Sequence, residues 1–432
     1  MFIASHSVET PAASASKLLI SLGLVTLMTV MPVLSVAAEG AIYVLMPIGA
    51  ATMLIGAVIG AEGHGPRHLM GALGSPAGLA ALFVAFWAGL SLVWTPFPAE
   101  AAPRFAQIVV TTLLVALVAA WLPPRTRTFD LYLLPVGVTL NALSLLYFAL
   151  RGETSFAGAG AFGDSLFARA MIALVVLVWP ALGALCLRER WAFAAGLALL
   201  AAGVAFAGFA QAGLAAMGAG AFVFALAMSN PSRIGPNLGA AFAALILAAP
   251  LFALGVGALA GAWPEAGPGA RSMEAWREMI VSDWPRLVTG HGFGSTDRMA
   301  ALGFLSHDAP RGLPFIVWHD LGLVGAGAFA LLTALTFRLT ARVPESIAPS
   351  VLAGLSAVLA LSFLGAAVSQ IWWITLLDCA VIAYVVLIKG VYRSQRPTAP
   401  RRDEAPAAPR DLSLEPGFGP GALSGRAEAS GR

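Results

Sequence analysis

The chain has 432 residues, of which 59% are hydrophobic and only 11% are charged, and its formal net charge is +3. A soluble domain carries about 25% charged residues, so a deficit along the whole chain excludes an ordinary water-soluble protein. The basic residues include two lysines, Lys17 and Lys389, and otherwise arginines. They fall at the ends of apolar segments and in the tail, which excludes a nucleic-acid-binding face.

Apolar runs long enough to cross a bilayer recur along the chain. They are continuously apolar, which is typical of helical spans and not of barrel strands. The sequence therefore predicts an all-α polytopic integral membrane protein with about twelve transmembrane helices. The predicted spans are residues 18–38, 41–60, 78–94, 105–122, 131–150, 170–187, 191–209, 212–228, 238–261, 313–337, 349–371 and 372–388.

The charged residues predict the orientation of the chain. Alternate short loops carry most of the arginines, so by the positive-inside rule these loops and both termini face the cytoplasm. Residues 1–17 lack the basic start of a signal peptide, which predicts a short cytoplasmic N-terminus before an uncleaved first span. Residues 18–392 form the predicted membrane domain, and residues 393–432, rich in Pro, Ala and Gly, a disordered cytoplasmic tail.

One outward loop, residues 263–312, is far longer than the others. Loops of this length are usually functional or disordered. The helical spacing of Met273, Trp276, Ile280 and Trp284 predicts an amphipathic helix on the membrane surface. The stretch Gly290-His-Gly-Phe-Gly294 predicts a flexible turn after it. The loop also carries Arg271, Arg277, Arg286, Arg298, Arg311, His291 and His307.

The first candidate site combines Arg271, Arg277 and Arg286 with His307. A guanidinium fork matches the geometry of a phosphate, and a histidine can accept the proton of a hydroxyl nucleophile. Such a set could hold a lipid diphosphate leaving group while an acceptor attacks the attached sugar. The alternative is that these are ordinary loop arginines at an anionic membrane surface.

A second candidate is a proton path through His319, Asp320 and Asp378, because ionisable residues at membrane depth are often functional. Against it, His319 and Asp320 would lie near the outer surface, where water reaches them. Asp164 is predicted to cap the sixth span. We find neither metal-ligand spacing nor a hydrolase elbow, and the cysteines lie in apolar runs, so no metal, cofactor or disulfide is predicted.

Several segments of the chain together resemble the motifs of the O-antigen ligase and Wzy-type O-antigen polymerase family of bacterial envelopes. The main ones are Arg271-Ser-Met-Glu-Ala-Trp276, Trp284-Pro-Arg-Leu-Val-Thr-Gly-His-Gly-Phe-Gly294, Ser306-His-Asp-Ala-Pro310 and Phe315-Ile-Val-Trp-His-Asp-Leu-Gly-Leu-Val-Gly325. Weaker matches are Ser91-Leu-Val-Trp94 with Arg104, and Gly160-Ala-Phe-Gly-Asp164.

The resemblance implies a metal-independent GT-C-type glycosyltransferase in the bacterial inner membrane. It would move a glycan from an undecaprenyl diphosphate-linked donor to a glycan or lipid A-core hydroxyl at the periplasmic face. It would work within the lipid bilayer, alone or with other polysaccharide assembly proteins. The resemblance does not distinguish a ligase from a polymerase. By the same resemblance His307 is the catalytic residue, and the substrate-binding candidates are Arg271, Arg277, Arg286, His291, Arg311 and Arg104.

The chain departs from the family pattern at three places. Asp308 replaces an asparagine, and Gln211 stands where members often carry arginine. In the family, the number of residues between the catalytic position and the glycine that corresponds to Gly322 would place Arg311 at the catalytic position. The local match of Ser306-His-Asp-Ala-Pro310 favours His307 instead. Two rival functions therefore stay open: a glycolipid or polysaccharide transporter, and a non-catalytic component of a polysaccharide export system.

Overall fold

The computed structural model describes residues 10–38, 40–60, 65–123, 130–152, 166–208, 211–261, 267–365 and 370–391. Over these residues the regular secondary structure is entirely helical. The α-helices are α1 Pro11–Val25, α2 Met31–Leu34, α3 Ala41–Gly60, α4 Gly65–Leu73, α5 Pro76–Ser91, α6 Pro98–Trp121, α7 Asp130–Leu150, α8 Leu166–Leu187, α9 Trp191–Ala207, α10 Gln211–Ala227, α11 Pro231–Gly261, α12 Pro268–Ser282, α13 Arg286–Thr289, α14 Ser295–Ala301, α15 Leu313–Leu339, α16 Ala348–Phe363 and α17 Ile371–Val391. A π-helical segment, Thr26–Val30, joins α1 to α2, and a 3-10 turn, Thr340–Arg342, follows α15.

Within the described residues, eight helical segments are long and apolar enough to cross a membrane. They are Pro11–Leu34, Ala41–Gly60, Pro98–Trp121, Asp130–Leu150, Leu166–Leu187, Pro231–Ala260, Leu313–Arg342 and Ile371–Gly390. The pair α4 and α5, bent by 74°, adds a ninth if it counts as one span, and α9, α10 and α16 are shorter apolar helices. The chain is therefore a polytopic α-helical membrane protein, and each predicted span falls on one of these helices.

The first helix begins earlier than the sequence predicted. It starts at Pro11, not at residue 18, because Thr10 caps it: the Thr10 hydroxyl accepts a hydrogen bond from the Ala13 amide at 3.3 Å. A proline in the first turn, where no amide hydrogen is needed, favours the same start. Residues 11–17 of the predicted cytoplasmic N-terminus are thus helical. Asp164 and the predicted tail lie outside the described residues.

Helix α8 forms the centre of the bundle. It is buried along nearly its whole length and packs against α7, α9, α16 and α17. Its sequence is apolar on every side, as expected for a helix surrounded by other helices. Small residues allow the closest contacts, for example Gly354 on α16, which lies against Trp179 and Tyr384.

The helix predicted around Trp276 is present as α12, although it ends at Ser282, before Trp284. Its inner face packs on α11, where Gly257 leaves room for the backbone of Met273 and the stem of Arg277. Trp276 makes an edge contact with Phe315 at the start of α15, with ring centroids 5.4 Å apart. Trp284 lies beyond the helix and is 69% exposed. Helix α12 thus rests on α11 and α15.

Candidate functional site

The candidate site is built on a break in α15. Gly322 has φ 64° and ψ −164°, which a residue with a side chain rarely adopts. A helix broken there leaves preceding carbonyl groups without intrahelical partners. Other segments supply the missing donors: the His291 amide bonds the His319 carbonyl at 2.8 Å, the Gly292 amide bonds the Asp320 carbonyl at 2.9 Å, and the Trp87 indole bonds the Leu321 carbonyl at 2.9 Å.

The donors come mainly from residues 290–296, which we call the glycine turn. Gly290, Gly292 and Gly294 all have positive φ, between 73° and 100°. Backbone also passes very close to two of them, since a side chain at Gly290 would collide with the Asp320 carbonyl and one at Gly292 with Thr95. The sequence predicted this stretch as a flexible turn. Hydrogen bonds to α15 hold it in place instead.

The carboxylate of Asp320 holds the other half of the glycine turn. It accepts hydrogen bonds from the Gly294 amide at 2.9 Å, the Ser295 hydroxyl at 2.8 Å, and the amide and hydroxyl of Thr296 at 2.9 and 2.6 Å. Asp320 is 5% exposed. A charge this deeply buried is tolerated only when such donors surround it. Asp320 therefore links the helix break to the glycine turn.

Two histidine rings stack beside this carboxylate. The rings of His291 and His319 are nearly parallel, 4.2 Å apart with an angle of 9° between their planes. Nδ1 of His319 lies 2.8 Å from the Thr296 hydroxyl, which itself donates to Asp320. Because that hydroxyl proton is committed to Asp320, we assign the hydrogen of His319 to Nδ1. His319 thus joins the same network.

The ring of His291 is held by its other neighbours. Its Nδ1 lies 3.1 Å from the His319 carbonyl, and its Nε2 lies 3.5 Å from a carboxylate oxygen of Asp283. Burial lowers the pKa of His291 below its usual 6.5, and His319 and Arg286 lower it further, against the opposing effects of Asp283 and the hydrogen bond to the His319 carbonyl. The imidazole is therefore neutral at neutral pH and able to accept a proton.

A small cleft of about 30 Å³ opens beside these rings, with room for about two water molecules. Its polar lining comes from His291, His319, Asp283 and Arg286, and its apolar wall includes Trp276 and Phe315. Any larger ligand would have to sit at the mouth of the cleft. Larger cavities, of about 560 and 750 Å³, lie between α8, α9 and α10 and between α7, α8 and α9, and apolar side chains line most of both.

The segment between α5 and α6 closes the other side of the glycine turn. The Phe293 amide donates to the Ser91 hydroxyl at 3.0 Å, and the Thr95 hydroxyl donates to the Phe293 carbonyl at 3.3 Å. Arg104 on α6 forms an ion pair with Asp297 on α14. Arg104, predicted to bind substrate, is thus engaged by a carboxylate with which an anionic ligand would have to compete.

The structure brings only some of the predicted site residues together. His291 and Arg286 share the cleft, and Arg104 lies behind the glycine turn. Arg277 is half-buried against α11, and Arg271 is exposed on α12. His307 and Arg311 are exposed on the segment before α15 and do not line the cleft. The predicted group of Arg271, Arg277, Arg286 and His307 therefore does not form a single cluster around the cleft.

Sequence reasoning missed the roles of Ser295, Thr296 and Asp283. It offered His319 and Asp320 only as a candidate proton path, and the structure shows that both side chains are bound by the glycine turn. The available signal was the run of alternate glycines together with Gly322, which marked two places of close backbone approach. Within the described residues, no three His, Cys, Asp or Glu side chains are grouped as metal ligands.

The chain was compared with protein families, curated proteins and solved structures. No protein-family model, curated protein or solved structure matches it.

Proposed function

We propose that the protein is an O-antigen ligase- or polymerase-like glycosyltransferase that uses an undecaprenyl diphosphate-linked glycan as donor. One observation carries the proposal. Segments that resemble the family, far apart in the chain, meet at one place: Ser91 and Arg104, the glycine turn, and the α15 stretch around Gly322. Each match is weak alone, but their convergence on the glycine turn, whose His291 lines a titratable cleft, is expected if they serve one site.

The proposed topology places this site at the periplasmic face of the bacterial inner membrane. We count α4 with α5 as one span and add α9, α10 and α16, which gives about twelve spans with both termini inside. On this count α5 ends, α6 begins and α15 begins at the outer surface. The cleft then opens where both a lipid-linked donor and a water-soluble acceptor can reach it.

The proposed chemistry needs binding of a diphosphate and removal of one proton. Arg286 borders the cleft, and Arg271 and Arg277 lie on the neighbouring α12. The Arg286 guanidinium would neutralise the diphosphate as it leaves, a role that the resemblance also gives to Arg271 and Arg277. The acceptor hydroxyl attacks the sugar and must lose its proton, a role that the resemblance gives to His307, with Arg311 as its competitor for that position.

The direct test is a transfer assay with the full chain in lipid vesicles. The donor is an undecaprenyl diphosphate-linked glycan, offered with a lipid A-core acceptor or with a second donor molecule. We expect release of undecaprenyl diphosphate together with a longer glycan. Transfer to the lipid A-core acceptor would identify a ligase, and transfer to the second donor molecule a polymerase. Arg286→Ala should slow release at least about tenfold, because it removes a charge-assisted contact. Arg233→Ala, an exposed arginine at the start of α11, is the matched control.

A transporter is the second candidate, and one observation favours it. Asp378 on α17 is 6% exposed, and its Oδ2 is buried with no hydrogen-bond partner within the described chain. Buried carboxyl groups in membrane helices often belong to ion or proton paths. Movement of the intact lipid-linked glycan across the vesicle, without cleavage and abolished by Asp378→Asn, would establish the transporter and reject the transferase.

A further inference from the structure

His291 has the arrangement expected of an acid–base residue. Its backbone amide and its Nδ1 both point to the His319 carbonyl, at 2.8 and 3.1 Å. With the Nδ1 hydrogen directed to that carbonyl, the lone pair lies on Nε2. The stacked His319 ring fixes the plane of the imidazole. One nitrogen is thus anchored, and the other is left to exchange a proton.

The surroundings of His291 suit a base that works at neutral pH. The charged or titratable groups facing it are Asp283 and Arg286 from its own loop and His319 from α15. Asp283 lies 3.5 Å from Nε2, so its negative charge favours the imidazolium formed when Nε2 takes a proton. The side chain of His291 is 27% exposed, so a ligand at the mouth of the cleft can reach it.

His307 has a different environment. It is exposed on the segment between α14 and α15 and is not among the residues that line the cleft. Asp308, which follows it, is also exposed, and its amide bonds the Ser306 hydroxyl within the same turn. Within the described residues, no hydrogen bond or ion pair holds the ring of His307.

We propose that His291 is the base that removes the proton of the acceptor hydroxyl in the proposed glycosyl transfer. The hydroxyl oxygen forms a bond to the anomeric carbon, and the bond from that carbon to the diphosphate oxygen breaks. The electron pair of that bond leaves with the diphosphate, and the hydroxyl proton passes to Nε2 of His291 and then to water. This inference rests on the proposed function.

The experiment uses the vesicle transfer assay with variants of His291. His291→Asn keeps an amide hydrogen that can reach the His319 carbonyl but lacks Nε2. It should lower kcat at least about 100-fold with little change in KM, since general base catalysis contributes roughly 10²–10⁴-fold. His68→Asn, the same change at an exposed histidine on α4, is the control. His291→Ala should regain activity when imidazole is added.

The pH profile distinguishes a base from a positioning role. The wild-type kcat should be constant above the lowered pKa of His291 and fall as the pH drops through it, because protonated Nε2 cannot accept a proton. The residual rate of His291→Asn should not show this fall. A fully active His291→Asn, or loss of activity confined to His307→Ala, overturns the inference while transfer by the wild type still supports the function. A wild type without transfer overturns both.

Discussion

The loop between α11 and α15 contains two histidine-bearing segments with opposite surroundings. In the glycine turn, His291 is half-buried, stacked on His319 and bound to the backbone of α15. In residues 302–312, His307 is exposed, and Phe304 nearby is 70% exposed. The segments lie only a few residues apart. Hydrogen bonds of the first reach Ser91 and α15, whereas those of residues 302–309 stay within residues 298–309.

The difference between these two segments shows what makes a loop suitable for chemistry. A reacting side chain has to be held near its working geometry before substrate arrives, since orientation supplies much of a rate enhancement. The glycine turn meets this requirement because the broken helix leaves carbonyl groups that need donors. The broken helix does not take hydrogen-bond donors from residues 302–312. Experiments on stability can therefore test the contrast without any knowledge of the substrate.

The largest effect is expected at Asp320. Replacing it with alanine leaves the donors from Gly294, Ser295 and Thr296 without their acceptor inside the protein. We expect a loss of about 3–5 kcal/mol in the free energy of unfolding, because each buried donor left without an acceptor costs about 1–3 kcal/mol. Asp308→Ala, the same change in the exposed segment, should be nearly neutral. Similar thermal midpoints in detergent for both variants would remove the distinction between the two segments.

Two glycines provide the next test. Gly290 and Gly303 have almost the same φ, 73° and 75°, but only Gly290 lies against backbone, while nothing is within 4 Å of a side chain at Gly303. Gly303→Ala should cost about 1 kcal/mol, the penalty of a left-handed residue. Gly290→Ala adds a collision with the Asp320 carbonyl and places a side chain at φ 73° and ψ 176°, a backbone region that essentially only glycine adopts, so its thermal midpoint should fall clearly further. Equal shifts would mean that the glycine turn is not tightly packed on α15.

The smallest effect is expected for Arg104 and Asp297. Their side chains are 22% and 21% exposed, so solvent weakens the ion pair. A double-mutant cycle with Arg104→Gln and Asp297→Asn should give a coupling free energy of about 1 kcal/mol. High salt should reduce it. A coupling near zero at low salt would show that Arg104 is free to bind an anionic ligand instead.

The apolar runs determined the membrane class and the position of nearly every helix, because a bilayer accepts only backbone that satisfies its own hydrogen bonds. The helical spacing of Met273, Trp276 and Ile280 likewise predicted α12. These features depend on residues near one another in the chain. For the same reason, the glycines at 290, 292 and 294 marked a special turn.

The partners of that turn were decided only by the tertiary structure. Local patterns cannot reveal that Ser91 and Asp320 supply its contacts, since Ser91 lies 202 positions from Phe293 and Asp320 lies 26 positions from Gly294 along the chain. The choice between His291 and His307 depends on those contacts. Sequence placed both histidines in one loop, and the break in α15 at Gly322 decided which of them is held.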